Sequence, residues 1–360
     1  MPNAVVVGAG VFGASIAREL AGRDWDVHLV EQYAPGTVRS ASGGDTRLLR
    51  TAHGENAWYT ASAQRARTLW LELQESSGVE IWVETGIAWF ARRADGFEGA
   101  SRAVLDAMGE PNEWLTPEEA RRLYPTLGID DLQAVLFEPR AGVLRARRAT
   151  QLLVEDAVRL GVHFDEGHVA PADPPRADAV VWACGAWLSK TFPGLVATSV
   201  SRRDVYFFGG TAPWRNAPGW VDYDGGFYGT GDVDGLGVKV APDFPNDEID
   251  PDDLDRVASP DLLATAREYA ARRFPDLVRA PVIGSRVCQY DLTGDTHFIA
   301  DRHPEHESWW LVGGGSGHGF KHGPAFAEYV ADAIEDKHAL EPFHKLGDRT
   351  ADAGLRTGTR

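Results

Sequence analysis

The feature that most constrains this chain is a glycine pattern within its first thirty residues. A run of β-branched residues leads into Gly8, Gly10 and Gly13, which have the spacing G-x-G-x-x-G, and a helical pattern follows. In a strand–turn–helix unit, the first glycine permits a tight turn, the second lets a pyrophosphate approach the backbone, and the third lets helix and strand pack closely. A second apolar run ends on Glu31, where a carboxylate can accept hydrogen bonds from a ribose hydroxyl.

A glycine-rich turn alone is weak evidence for a nucleotide site, because a purely structural turn can have the same composition. Here the strand, the helix and the terminal Glu31 keep the expected register, which favours dinucleotide binding. An acidic side chain at this position disfavours a 2′-phosphate, so the pattern favours FAD or NAD over NADP.

The composition excludes several classes of partner. The 360 residues include 53 acidic and 36 basic side chains, so the formal net charge is 36 − 53 = −17. Such a surface repels phosphate backbones and anionic membranes, so neither a nucleic acid nor a membrane is an expected partner. No apolar run has membrane-spanning length, and the first residues form a core strand pattern instead of a signal peptide. The two cysteines, Cys184 and Cys288, favour a reducing cytoplasm.

Local patterns change along the chain between α/β units and a more irregular region. Helical periodicity covers residues 59–73 and 148–160, and Pro324 begins a further helix. Residues 81–90 alternate like one strand, and residues 200–293 contain aromatic-rich strands separated by turns. The nucleotide-binding domain is therefore expected to be assembled from separated segments, which favours a flavin fold over a simple NAD dehydrogenase.

The predicted fold class is α/β, with a Rossmann-type FAD-binding domain and an inserted α+β substrate domain that contains a mixed or antiparallel sheet. The chain is long enough for two sub-domains with cores of their own. The FAD-binding domain is assigned to residues 1–75, 141–192 and 300–345, the substrate domain to 76–140 and 193–299, and a flexible tail to 346–360.

Several spaced motifs occur across almost the whole chain. They are Gly8-x-Gly10-x-x-Gly13, Gly44-Asp45-Thr46-Arg47-x-x-Arg50, Phe137-Glu138-Pro139, Gly142-Val143-Leu144, Gly185-Ala186-Trp187, Tyr228-Gly229, Lys239, Cys288-x-Tyr290, His297-Phe298-Ile299, His303-Pro304-Glu305-His306 and Gly315-Ser316-Gly317-His318-Gly319-Phe320-Lys321. With these motifs the chain resembles the FAD-dependent amine oxidases of the monomeric sarcosine oxidase and N-methyltryptophan oxidase group, in the D-amino acid oxidase-like superfamily. The likeness extends from Gly8 to about residue 331.

The resemblance implies roles for three separated residues. Cys288 matches the cysteine that is bonded through sulfur to the 8α-methyl group of the flavin, whereas its spacing alone favours a buried structural cysteine. Arg50 and Lys321 match the pair that holds the substrate carboxylate, which a guanidinium can bind bidentately and an ammonium as a point charge. Without the resemblance, both would be interpreted as solvated surface cations.

Lys239 matches the lysine that lies over the flavin face and promotes the reaction with oxygen, a step that needs a fixed positive charge. A strand lysine that faces water is the competing interpretation. Other positions match family residues around the flavin and the substrate. Arg47 matches a residue of the positively charged surroundings, Tyr228, Tyr290 and His318 match residues that line the substrate cavity, and Gly317 matches a residue of the cofactor-binding loop. Without the resemblance, Tyr228, Tyr290 and His318 would each be called a core aromatic or a histidine with satisfied hydrogen bonds.

One position departs clearly from the sarcosine oxidase pattern. A histidine follows the oxygen-activating lysine by four residues in that enzyme, whereas this chain has Asp243. Asp243 is expected either to recognise a second polar or basic group of the substrate or to cap the turn before Phe244. The stretch 169–178 is also shorter than the family usually has.

The resemblance implies an oxidase of N-substituted α-amino acids that forms an imine and hydrogen peroxide, with oxygen as the acceptor. Alternatives are an oxidase of a primary or cyclic amine, a tRNA-modifying flavoprotein, which the charge of −17 disfavours, and a non-catalytic FAD-binding module. A non-catalytic module would leave the cluster of Arg50, Lys239, Cys288 and Lys321 without a purpose. A monomer is expected, and no metal ligands are predicted.

Overall fold

The structure is a computed structural model that describes residues 1–244, 248–347, 349 and 355, the side chain of Asn216 excepted. The strands in chain order are β1 (Asn3–Val7), β2 (Asp26–Glu31), β3 (Thr46–Leu49), β4 (Trp82–Val83), β5 (Ile87–Ala91), β6 (Glu113–Leu115), β7 (Ala134–Glu138), β8 (Gly142–Arg145), β9 (His163–Glu166), β10 (Ala179–Trp182), β11 (Thr198–Phe208), β12 (Gly219–Asp222), β13 (Phe227–Thr230), β14 (Val238–Pro242), β15 (Val282–Thr293), β16 (Ile299–Arg302) and β17 (Trp309–Gly313).

The α-helices are α1 (Val11–Gly22), α2 (Ala57–Ser77), α3 (Phe97–Ala107), α4 (Pro117–Ala120), α5 (Ala146–Arg159), α6 (Leu188–Thr191), α7 (Pro260–Arg273) and α8 (Gly323–Ile334). The three helices predicted from periodicity and from Pro324 are thus confirmed, with ends that differ by a few residues. Among the described residues, no helix combines the length and the apolar character that crossing a membrane requires.

A six-stranded sheet with the order β16-β17-β10-β1-β2-β9 carries the nucleotide motif. All neighbouring pairs are parallel except β16 with β17, which is antiparallel. Its central strands are apolar runs because helices α1, α5 and α8 form a core on one face, while Trp182, Leu188 and Phe192 pack on the other. The carboxyl ends of β1, β2 and β10 therefore meet at one edge, where a dinucleotide binds in folds of this kind.

An eight-stranded, largely antiparallel sheet with the order β15-β11-β14-β13-β12-β5-β7-β6 forms the second layer. Strands β11 and β15 pair over their whole length, and only β12 with β5 is a parallel pair. The turns between β12 and β14 contain the predicted Asp224-Gly225-Gly226 and Asp234-Gly235 sequences. This sheet provides the long, rigid strands on which Lys239 and Cys288 lie.

The prediction of one strand over residues 81–90 is wrong. The segment forms two strands, because Gly86 adopts a positive φ of 74° and the chain turns there. Strand β4 joins β3 and β8 in a three-stranded sheet, whereas β5 enters the eight-stranded sheet. A Cβ atom at Gly86 would lie 2.5 Å from the Phe137 ring, so the turn also requires the absence of a side chain.

The predicted fold class, a Rossmann-type domain with an inserted substrate domain, is confirmed by the two main sheets. The residue boundaries of the two domains stay a prediction. In the segment expected to be a flexible tail, Arg349 forms an ion pair with Asp295 and Leu355 is buried in the core, so these two residues do not behave as a tail. Residues 348, 350–354 and 356–360 of that segment lie outside the described part of the chain.

Candidate active site

The turn after β1 has the geometry that the glycine pattern predicts. Gly8 has φ 102°, and its N–H donates to the Val30 carbonyl at 2.7 Å. A Cβ atom at Gly8 would lie 2.5 Å from the Ala183 carbonyl oxygen, and one at Gly13 would lie 1.9 Å from the Gly8 carbonyl oxygen. Helix α1 therefore begins directly against the turn, with Gly10 at its N-cap, and the N–H of its first residue, Val11, donates to the Ser42 hydroxyl oxygen at 2.9 Å.

Glu31 lies beside this turn at the end of β2. Its carboxylate accepts hydrogen bonds from the backbone N–H groups of Ala9 at 2.6 Å and Tyr33 at 3.0 Å. Burial raises the pKa of the Glu31 carboxyl above its ordinary value, and the bond from Ala9 partly opposes that rise. Together with Gly8 and Gly10, Glu31 lines a cavity of about 390 Å³, which is large enough for an adenosine group.

Two smaller cavities continue from this one. Gly10 lines both the 390 Å³ cavity and a second cavity of about 80 Å³, which extends past the loop that contains Gly317. Arg47, Tyr290 and Gly317 line both the second cavity and a third of about 70 Å³. The shared walls arrange the three cavities in series from the nucleotide turn to the cationic residues, and an extended dinucleotide such as FAD fits this arrangement.

Cys288 lies on β15 two residues before Tyr290, so both side chains point to the same face of the sheet. A Cβ atom at Gly44 would lie 3.8 Å from the Cys288 Sγ atom and 3.1 Å from the Arg47 Nη1 atom, which places the thiol in the Arg47 surroundings. Gly44 has φ 102°, so the loop approaches the thiol closely because no side chain intervenes. The thiol thus lies near Arg47, which lines the second and third cavities.

Lys239 is buried on β14, so the interpretation as a strand lysine that faces water is wrong. Its Nζ atom donates to the Thr46 carbonyl at 3.3 Å and lies 5.0 Å from the centre of the Tyr228 ring. Burial and, second, the Arg47 charge lower the pKa of Lys239 to about 7. The ammonium group can therefore lose or gain a proton near neutral pH.

Arg50 and Lys321 both line the third cavity and are 8% and 2% exposed, so neither is a solvated surface cation. Lys321 lies on a short 3₁₀ turn (Phe320–His322) directly before α8, and its Nζ atom donates to the His318 carbonyl at 3.0 Å. Burial lowers the pKa of Arg50 to about 10, and burial with the neighbouring Arg50 charge lowers the pKa of Lys321. The two cationic side chains thus converge on one small cavity.

The position of Arg50 depends on a buried acid. The Glu138 carboxylate accepts bonds from the backbone N–H groups of Thr51 at 2.7 Å and Ala52 at 3.1 Å, which fixes the chain beyond β3. The Arg50 guanidinium donates to the carbonyl oxygens of Ala52 and Leu355, which occupies two of its five N–H groups. The remaining donors are available for a bidentate bond to a carboxylate.

The aromatic residues predicted at the cavity also meet there. The hydroxyl groups of Tyr228 and Tyr290 are 3.0 Å apart, and both side chains line the third cavity together with His318. The His318 Nε2 atom lies 2.9 Å from the Thr296 carbonyl oxygen, so this nitrogen carries a proton and donates it to the carbonyl.

Asp243 lines the third cavity directly after β14. Its carboxylate forms a buried ion pair with Arg203, with 2.9 Å between the Asp243 Oδ1 and Arg203 Nε atoms. The Arg203 guanidinium lies 5.0 Å from the centre of the ring of Tyr290, so it is next to two residues that line the cavity, Asp243 and Tyr290. The charge of Asp243 is therefore balanced within the protein, which the sequence alone did not suggest.

Some residues of the site were not identified from the sequence, because no motif marks them. Arg203 looks like one cation of an ordinary strand, and Tyr223, which lines the third cavity, looks like a core aromatic. His53 and His322, which lie beside His318, are distant from each other along the chain. The short separation of His318 and His322 along the chain is a signal that could have indicated two members of this cluster, whereas His53 is distant from both.

Comparison with known proteins places the chain in a family. The family model described as FAD dependent oxidoreductase (DAO) matches residues 3–333. The chain belongs to this family. The monomeric sarcosine oxidase of Streptomyces avermitilis is 29% identical over 92% of each chain. The N-methyl-L-tryptophan oxidase of Yersinia pestis is 25% identical over 92% of this chain and 95% of its own.

Among solved structures, the L-proline dehydrogenase from P. horikoshii has the same fold, with a TM-score of 0.81, 22% identity and 95% of each chain covered. The resemblance inferred from the motifs and the prediction of an FAD-dependent enzyme are thus confirmed. The glycine turn and the three cavities in series provide the surroundings that this cofactor requires.

Proposed function

We propose that this FAD-dependent enzyme oxidises a secondary, N-substituted α-amino acid to its imine and forms hydrogen peroxide. The observation that supports this proposal most strongly is the convergence of Arg50 and Lys321 on one small buried cavity. Glu138 acts on both buried cations, and Asp243, which also acts on Arg50, is itself paired with Arg203. A further anion is therefore favoured here, and the carboxylate of an amino acid supplies it. The sarcosine and N-methyltryptophan oxidases among its relatives agree with this substrate class.

The size of the third cavity limits the size of the substrate. The small volume of this cavity, about 70 Å³, favours a small amino acid over one with a bulky side chain. Arg50 and Lys321 hold the carboxylate at one end, so the amine and its N-alkyl carbon lie towards Tyr228 and Tyr290. When bound, FAD accepts the hydride equivalent from the substrate and passes the electrons to oxygen.

In this proposal, side chains of the protein orient the substrate and supply positive charge. Arg50 and Lys321 fix the distance between the carboxylate and the reacting carbon, and the Tyr228–Tyr290 pair closes the cavity opposite them. The Lys239 ammonium supplies positive charge where oxygen is reduced. No side chain of the cavity has to remove a proton from carbon if the amine binds in its neutral form.

Covalent attachment of FAD through Cys288 is part of the same proposal. Its support is the position of the thiol beside Arg47 and Lys239, on the face of β15 that Tyr290 shares. The expectation of a cytoplasmic monomer stays a prediction.

A peroxide-coupled screen tests the proposed activity. N-methyl, cyclic and primary amino acids are each compared with the matching amine that lacks the carboxylate. We expect peroxide from N-methyl amino acids and at least tenfold lower kcat/KM for the decarboxylated partners, because a charged hydrogen bond contributes about 1.5–3 kcal/mol. Equal rates with and without the carboxylate would exclude the assigned role of Arg50 and Lys321, and preference for cyclic or primary amines would select the alternative substrate class.

A further inference from the structure

Three buried histidines form a cluster beside Lys321. His53, His318 and His322 are 1%, 5% and 0% exposed, and a ring nitrogen of each lies within 4.8 Å of a ring nitrogen of the other two. His318 and His322 are four residues apart across a short 3₁₀ turn, and His53 reaches them from the segment after β3. The proposed oxidation assigns no role to His53 or His322.

The hydrogen bonds of two of these rings define which nitrogen is basic. The His53 Nδ1 atom lies 2.9 Å from the Thr51 carbonyl oxygen, and the His318 Nε2 atom lies 2.9 Å from the Thr296 carbonyl oxygen. A carbonyl oxygen only accepts, so these nitrogens carry the protons, and His53 Nε2 and His318 Nδ1 are the basic atoms. Metal-binding histidines typically hold their second nitrogen by such a bond to a carbonyl or carboxylate oxygen.

The third ring completes this pattern. The His322 Nδ1 atom lies 2.9 Å from the Ser62 hydroxyl oxygen, and its Nε2 atom lies 3.3 Å from the His53 Nε2 atom. Two ligands at 2.0–2.1 Å from a tetrahedral zinc ion are themselves about 3.3 Å apart. The distance between the two Nε2 atoms therefore matches one edge of a zinc site.

The observed positions of the ring and hydroxyl atoms also agree with a chain of hydrogen bonds that contains no metal ion. In that arrangement the Ser62 hydroxyl donates to His322 Nδ1, and His322 Nε2–H donates to His53 Nε2. That chain joins His53 to His322, and it does not explain why a ring nitrogen of His318 lies within 4.8 Å of both. A bound ion accounts for all three rings with one tautomer change, in which His322 Nδ1–H donates to Ser62.

We propose that His53, His318 and His322 bind one divalent transition-metal ion of the zinc type, with water or an anionic oxygen as the fourth ligand. Three neutral imidazoles suit Zn²⁺, Co²⁺, Ni²⁺ or Cu²⁺, and not Mg²⁺ or Ca²⁺. Burial lowers the pKa of His53 and of His322, which keeps both rings in the neutral form that a metal requires.

The surroundings of the three histidines include a path by which the ion can enter and two positive charges that oppose its binding. His53 also lines an open cavity of about 480 Å³ with Glu55 and Asn56, through which an ion can enter. The cations Arg50 and Lys321 lie close enough to oppose a second positive charge, so an anionic fourth ligand strengthens the site. Because His318 also lines the third cavity, the ion would add positive charge at the end of the cavity that holds the substrate carboxylate.

Titration calorimetry with Zn²⁺ on chelator-treated, flavin-loaded protein tests the proposal, with metal content measured by mass spectrometry after dialysis. An exposed group, His28, His163 and Asp165, can also bind zinc, so His163→Ala serves as the parent variant. We expect one Zn²⁺ per chain in His163→Ala and a loss of that ion in His163→Ala/His322→Phe. Zinc K-edge absorption of the parent should show a coordination shell dominated by nitrogen.

Ser62→Ala in the same parent is the second variant, because it removes only the hydroxyl group that holds the His322 ring. Loss of such a partner typically weakens metal affinity about 10–100-fold, so we expect a shift in this range with unchanged flavin content and melting temperature. A parent that binds no ion would overturn the proposal. Zinc affinity that is equal in the parent, in His322→Phe and in Ser62→Ala would overturn it as well.

Discussion

At the scale of single residues, the proposed bond between Cys288 and FAD predicts that the flavin is not released on unfolding. We expect acid-precipitated wild type to stay yellow and to fluoresce in a denaturing gel, because a thioether survives denaturation. Cys288→Ala should lose this colour. The matched control is Cys184→Ala, which alters the other free cysteine, a thiol whose pKa is raised to about 12 by burial. A colourless pellet from flavin-loaded wild type, or from Cys184→Ala alone, would contradict the assignment.

Lys239 should act mainly on the reaction with oxygen. Loss of a positive group from a site where negative charge develops typically costs about 10²–10³ in rate, so Lys239→Met should slow reoxidation by this factor and reduction far less. Because burial and Arg47 lower the pKa of Lys239 to about 7, the charged form decreases as pH rises from 6 to 9. Wild-type reoxidation should decrease over the same interval, and the variant should lose this dependence. Stopped-flow measurement of both half-reactions checks this, and equal slowing of the two would assign Lys239 a positioning role.

Asp243 and Arg203 should control which substrates bind. We expect Asp243→Asn to change the ranking of neutral and basic N-alkyl amino acids, because the substitution removes a negative charge from the cavity lining and leaves the Arg203 charge behind it unpaired by Asp243. Breaking a buried ion pair costs about 3–5 kcal/mol, so stability must be measured beside kinetics. The double variant Arg203→Gln/Asp243→Asn removes both charges and should restore most of the stability. An unchanged ranking in both variants would show that specificity lies elsewhere.

At the scale of elements, helix α1 must lie close against the turn after β1. Gly13→Ala places a Cβ atom 1.9 Å from the Gly8 carbonyl oxygen, so we expect the helix to shift and FAD binding to be lost. Overpacking of this kind costs about 1–3 kcal/mol or more. The matched control in the same helix is Gly22→Ala, where nothing lies within 4 Å of the new atom. Flavin content and melting temperature of the two variants decide the point, and a flavin-loaded, stable Gly13→Ala would refute the packing argument.

At the scale of the whole molecule, the net charge of −17 opposes binding of polyanions. We expect no retention of tRNA in a filter-binding assay at low salt, where electrostatic attraction is strongest. A basic RNA-binding protein serves as the positive control. Specific retention by this enzyme at low salt would reopen the possibility of a tRNA-modifying flavoprotein.

The sequence by itself determined the nucleotide-binding half of the fold. Gly8, Gly10, Gly13 and Glu31 act within one strand–turn–helix–strand unit, where spacing along the chain fixes spacing in the molecule. The fully apolar strands of the six-stranded sheet were recognisable for the same reason, because both faces are covered and nearly every residue is buried. The motifs also predicted that Arg50, Lys239 and Lys321 belong to one site, although only through resemblance.

The tertiary structure decided what depends on contacts between distant segments. Residues 81–90 divide between two sheets because of a turn at Gly86, and a local alternation of apolar residues cannot show which sheet each half joins. The same holds for the Arg203–Asp243 pair and for His53, whose ring meets His322 across 269 positions of the chain. The energies of the Arg203–Asp243 and His53–His322 contacts depend on burial and on the distance between the side chains. Both are set only when segments that are distant along the chain pack together.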